Sequence, residues 1–174
     1  MLHLVRHGRP LVRATTPPHE WELDPAGYDD VWALRDGGRL PARAAWFSSP
    51  EPKALQTAGL LTDGPVGVVE ELREHARGVT PWFDDPAEWR ATVARAFTDP
   101  ERPSLPGWEP LAHTRTRLLP AVQRILDGHA DDDVVLVGHG TAWTLLVAEL
   151  AGALPDLDAW ERLQMPDLIT VEPH

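Results

Sequence analysis

The chain has 174 residues, enough for one domain of ordinary size with a buried core and too few for two. Apolar side chains make up 43%, which excludes wholesale disorder, and the absence of Cys excludes a disulfide scaffold, a thiolate nucleophile and any Cys-ligated metal site. Sixteen basic residues against 27 acidic ones give a net charge of -11, which disfavours nucleic acid and anionic membrane surfaces as partners.

The first ten residues, MLHLVRHGRP, hold an apolar run too short for a secretory segment or a membrane span, so a cytoplasmic protein is expected. Residues 2–5 read as a buried strand running straight into Arg6-His7-Gly8. Residues 11–23 carry TTPPHE and no sustained period, a loop, after which Asp24 and Pro25 look like the cap and first residue of a helix ending near Gly37. A second brief strand at 45–47 leads through Ser48-Ser49-Pro50 into a helix ending at Leu61, where Asp63-Gly64-Pro65 stops it. The β-branched run 66–69 is a third strand and opens into Glu70, Glu71 and Glu74. Residues 86–97 and 107–126 read as helices separated by a turn-rich stretch. The continuous apolar run 134–137 predicts a strand covered on both faces, followed at once by Gly138-His139-Gly140. A buried helix over 141–150 ends at Gly152, and 168–171 is the last strand. Strands alternating with helices predict a three-layer α/β/α sandwich with a mostly parallel sheet, as a single domain over 1–174 with no repeat or linker.

In such sheets ligands bind beyond the carboxyl ends of the strands, and two strands here end directly in His. Phosphoryl transfer to a side chain needs a nucleophile unprotonated near neutral pH, cations for the phosphate oxygens and an acid for the leaving alkoxide. His7 supplies the first and Arg6 offers a fork that matches phosphate. His139 reaches the same place from the second strand end, and Glu74 is the preferred acid, with Glu70 and Glu71 as rivals. Arg73 and Arg77 are either solvated or face the pocket to grip a second anionic group; Trp82, Trp89 and Trp108 are either packing or substrate cover. The His residues lack H-E-x-x-H spacing and carboxylate ligands nearby, which argues against a metal hydrolase, and no Ser stands at the elbow of Gly138-His139-Gly140 for a serine hydrolase.

LVRHGRP at 4–10 resembles the signature of the histidine phosphatase superfamily, also called the phosphoglycerate-mutase-like family. FSSPEPKALQTAGLL at 47–61, LREHARG at 72–78 and VLVGHGTAW at 135–143 resemble its Gln-Thr-Ala, acid and second-histidine segments in order, and GWEPLAHTRTR at 107–117 is a weaker echo of its Gly-Glu-Ser helix start. The resemblance implies a phosphoglycerate-mutase-like fold and a metal-independent phosphomonoesterase without cofactor, acting on a small phosphorylated metabolite. It implies that His7 is phosphorylated, that Arg6 and His139 hold the phosphoryl group, and that Glu74 donates the proton. The family's second phosphate-binding Arg falls on Lys53, the chain's one Lys, and a further polar position falls on Arg13. Lysine keeps the charge but loses the bidentate fork. A phosphomutase and a non-catalytic phospholigand-binding domain are the alternatives, and oligomeric state stays open.

Overall fold

The structure is a computed structural model that describes residues 1–78 and 83–172. Strands β1 (Leu2–Arg6), β2 (Ala45–Ser48), β3 (Val66–Val68), β4 (Val134–Gly138) and β5 (Asp167–Val171) form one sheet in the order β3-β2-β4-β1-β5. β1, β2, β3 and β4 are parallel, whereas β5 runs antiparallel to β1 with Asp167 opposite Arg6.

The central strand β4 is apolar and buried along its whole length because both faces are covered, and the side chains of β1 and β4 alternate between two clusters. Leu2, Leu4, Val134 and Leu136 meet Leu118, Val122, Trp143 and Leu146 from α4 (Leu111–Gly128) and α5 (Gly140–Ala151). Val5, Val135 and Val137 meet Val31 and Leu34 of α1 (Tyr28–Asp36) and Ala54, Ala58 and Leu61 of α2 (Pro52–Leu61). The expected three layers are therefore present, in a mixed α/β fold.

Boundaries follow local chemistry. Asp24 caps a 3-10 turn, Pro25–Gly27, that precedes α1, and Asp85 caps α3 (Pro86–Thr98), each accepting a backbone N–H. Gly152, at φ 59°, closes α5 as a left-handed cap. The helix expected from residue 107 starts later, at Leu111, because Gly107 is left-handed and Pro110 stands at the cap. A further helix, α6 (Leu157–Arg162), spans too few turns to show a period in the sequence. It carries the chain back to the carboxyl end of the sheet, so β5 starts beside Arg6. No helix among the described residues is long and apolar enough to cross a membrane.

Candidate active site

The β1–β4 ladder puts Arg6 opposite Gly138, and His7 N–H continues it by donating to Gly138 O at 2.8 Å. The residues that follow each strand are thereby forced side by side, and the rings of His7 and His139 lie 5.3 Å apart at 63°. A Cβ on Gly8 would stand 2.7 Å from Val31 Cγ2 and 2.8 Å from Leu23 Cδ1, and one on Gly138 would stand 2.5 Å from the Trp143 ring. Both glycines are thus dictated by packing. The Gln-Thr pair of α2 braces the same loop: Thr57 Oγ1 accepts Gly8 N–H at 2.9 Å and Gln56 Oε1 accepts Leu23 N–H at 2.6 Å.

His7 Nδ1 meets its own loop, donating to Gly8 O at 2.7 Å, which leaves the Nε2 lone pair for chemistry. Burial holds its pKa well below the ordinary value, and the neighbouring His139 and Lys53 push the same way. His139 is fully buried and its pKa is also held well down, first by burial and then by Lys53, with Glu74 opposing. Its Nε2 lies 2.8 Å from Ser49 Oγ. The buried side-chain atoms without a hydrogen-bond partner among the described residues include His139 Nδ1 and Arg6 Nε. The Arg6 guanidinium is otherwise anchored through Nη1 to Leu163 O at 2.7 Å, just past α6.

Lys53 is drawn into this cluster and is only 5% exposed, although lysine is ordinarily solvated. Its Nζ donates to Pro18 O at 2.7 Å and to the carboxylate of Glu51. Glu51 was not singled out from the sequence; an acidic residue just before a helix reads as an ordinary N-terminal charge. It is 7% exposed, accepts Glu74 N–H at 2.8 Å, and stands 3.5 Å from His139 Nε2.

Glu74 lies on the third side. Its carboxylate accepts N–H groups from His75 at 2.9 Å, Ala142 at 2.9 Å and Thr141 at 3.1 Å, the last two at the positive end of α5. Burial alone would raise its pKa, but Arg77, His139 and the His75 N–H prevail and lower it to about 2. Arg117 fixes the segment, donating to the carbonyls of Glu71, Arg73 and Glu74 at 2.7, 2.8 and 2.7 Å and to Glu109 at 3.0 Å. The rival carboxylates turn outward: Glu70 pairs with Arg73 and Glu71 with Arg124. Arg73 therefore faces away, while Arg77 faces in. The Arg77 guanidinium lies over the rings of both Trp89 and Trp108, 4.5 and 5.2 Å from their centroids, and donates to Thr141 Oγ1 at 2.8 Å. Trp82 lies outside the described residues.

Arg13 corrects one expectation. It is exposed, in a segment pinned by its backbone, where Arg13 O and Thr16 O both accept the Trp21 indole N–H, and it does not join the buried cluster. A cleft of about 820 Å³ opens at the other end of β2 around Trp46 and Arg43 and holds none of these groups.

Burying neutral histidines makes stability depend on pH. With folded pKa values below the ordinary 6.5 of histidine, the unfolded chain binds more protons as pH falls, so stability is complete above 6.5 and is lost toward the folded pKa. Urea unfolding at about pH 7.5 and about pH 5.5 should show that loss, and His7→Asn should reduce it. An unchanged difference between the two pH values in His7→Asn would mean that His7 is not held neutral.

The sequence profile described as the histidine phosphatase superfamily (branch 1) matches residues 2–171. A search of curated protein sequences returned no significant match. Among solved structures, Bacillus stearothermophilus YhfR superposes with a TM-score of 0.72 at 27% identity, over 98% of this chain and 91% of that one. The native mycobacterial glucosyl-3-phosphoglycerate phosphatase gives 0.73 at 23%, over 96% and 87%. Its complex with inorganic phosphate gives 0.68 at 26%, over 91% and 81%. With the profile covering nearly all of the sheet and both strand-end histidines, the chain belongs to the histidine phosphatase superfamily, branch 1, and is an enzyme of the phosphatase class.

Proposed function

We propose that the protein hydrolyses a small phosphomonoester by passing the phosphoryl group through His7, with no metal or other cofactor. The observation that carries this reading is the meeting of a neutral, loop-oriented imidazole with two buried donors that lack partners, Arg6 Nε and His139 Nδ1. A phosphoryl group in front of His7 Nε2 satisfies both. The positive charge that hydrolases elsewhere take from a metal comes here from Arg6, Lys53 and Arg77. The solved relative that binds inorganic phosphate is itself named a phosphatase, in keeping with this reading.

In the first step, His7 Nε2 attacks phosphorus, the N–P bond forms and the ester P–O bond breaks. Ser49 Oγ accepts Glu51 N–H and gives its own proton to His139 Nε2, so the His139 ring proton sits on Nδ1, aimed at a phosphoryl oxygen. Such a donor strengthens as charge moves onto the oxygens. The leaving oxygen takes its proton from Glu74. That carboxylate is ionised in the free protein, so its proton arrives with the substrate: a phosphomonoester has a second pKa of about 6, and an anion beside Glu74 raises the carboxyl pKa. In the second step water attacks phosphorus, its proton returns to Glu74, the N–P bond breaks and phosphate leaves.

Phosphate release from p-nitrophenyl phosphate in the presence of a chelator tests the activity; no release, or release abolished by the chelator, contradicts it. The acid is tested by the leaving group. Glu74→Gln should slow alkyl phosphates about 100-fold or more, on the scale of general acid catalysis, while p-nitrophenyl phosphate, whose phenolate needs little protonation, slows far less. Equal slowing of both would leave Glu74 a positioning role only.

A further inference from the structure

The free enzyme already holds an anion on one donor of its proposed phosphate site. The Glu51 carboxylate is bound by the Lys53 ammonium and by Glu74 N–H, and one of its oxygens stands 3.5 Å from His139 Nε2. Lys53 is thus shared between Glu51 and the proposed reaction, whereas His139 and Glu74 serve that reaction through other atoms, Nδ1 and the carboxylate. Glu51 lies 93% shielded from solvent, so its charge is felt with little screening.

The charge balance shows why this matters. Arg6, Lys53 and Arg77 bring three positive charges to the site, Glu51 and Glu74 two negative ones, and both histidines are held neutral. Glu51 cancels one of these three positive charges whatever the protonation of Glu74, and without it Lys53 would be free to turn to phosphate oxygens.

Resting on the phosphatase reading above, we propose that Glu51 is a specificity-determining residue that competes from within the chain for one phosphate-binding donor, Lys53. A bound phosphoryl group must draw Lys53 away from it. Affinity for dianionic phosphate, substrate and product alike, is thereby held down and product release is hastened. Lys53, in place of the family's Arg, suits this arrangement: a flexible stem with one ammonium can exchange Glu51 for phosphate, whereas a guanidinium fork would keep both.

The test is the affinity of inorganic phosphate and vanadate, measured by calorimetry and as competitive inhibition of p-nitrophenyl phosphate hydrolysis. Glu51→Gln keeps an acceptor for Glu74 N–H and removes only the charge. It should tighten phosphate about tenfold or more, the order expected for deleting a like charge next to an anion in a shielded site, and lower KM in parallel. Structural damage would weaken binding, so tightening is a signature that a merely structural role does not produce. Should Glu51→Gln be too unstable to assay, Glu51→Asp, which withdraws the carboxylate by one methylene, should tighten phosphate by a smaller factor. Unchanged or weaker binding in the folded variant overturns the role of Glu51. Failure of phosphate to compete in the wild-type protein instead overturns the reading of the site, and this inference with it.

Discussion

His7→Ala should reduce turnover of p-nitrophenyl phosphate by about 10⁴-fold or more, the scale on which loss of a covalent nucleophile leaves only the surrounding electrostatic groups. The remaining donors still bind the ester, but Lys53 is an ammonium paired with Glu51 and has no lone pair with which to attack phosphorus. The fold should survive, because the one side-chain hydrogen bond of His7 runs to its neighbour Gly8, while the strand end is held by backbone bonds. Circular dichroism and the unfolding midpoint check that half of the expectation. Phosphate release with more than a few per cent of wild-type turnover from a correctly folded His7→Ala protein would require another nucleophile.

His139→Ala is the second large loss, about 10²- to 10³-fold in kcat, the cost of removing one donor aimed at developing oxyanion charge. His139 is fully buried at the start of α5, where its Nδ1 has no partner to lose among the described residues, so the loss should fall on the transition state more than on ground-state binding. KM should change by less than kcat. His139→Asn, which restores a donor of shorter reach, should recover part of the rate. A loss confined to KM would reassign His139 to substrate binding alone.

Much of this arrangement was legible from the sequence because it is carried by strand ends. An apolar run that stops at Arg6-His7-Gly8 or Gly138-His139-Gly140 states both that a buried strand has ended and which side chain stands at the sheet edge. The direction of β5 was not legible, because a strand's own pattern is the same whether its neighbour runs parallel or antiparallel. Neither was the division among the acidic residues after β3. Only the three-carbonyl clamp of Arg117 and the N–H groups of α5 distinguish Glu74 from Glu70 and Glu71, and both come from elements distant in sequence. Glu51 illustrates the same limit. It reads alone as a surface charge near a helix start, whereas Lys53 is picked out by its match to the family's Arg position, and the burial of both follows from the packing of that helix against the loop at Pro18. Arg13 failed for the converse reason: its spacing from His7 matched a family position, but the intervening loop follows its own course, with its backbone held by Trp21.

The central proposal is that the phosphoryl group passes through His7, and the adduct itself is its most direct test. Wild-type protein should be quenched during turnover of a slow ester, kept at alkaline pH, digested and mapped by mass spectrometry. A phosphoryl group that survives base, is lost in acid and sits on His7 is the expected result. Phosphate on Ser48 or Ser49, or hydrolysis of a chiral phosphate ester with inversion at phosphorus, the outcome of a single direct displacement by water, would contradict it.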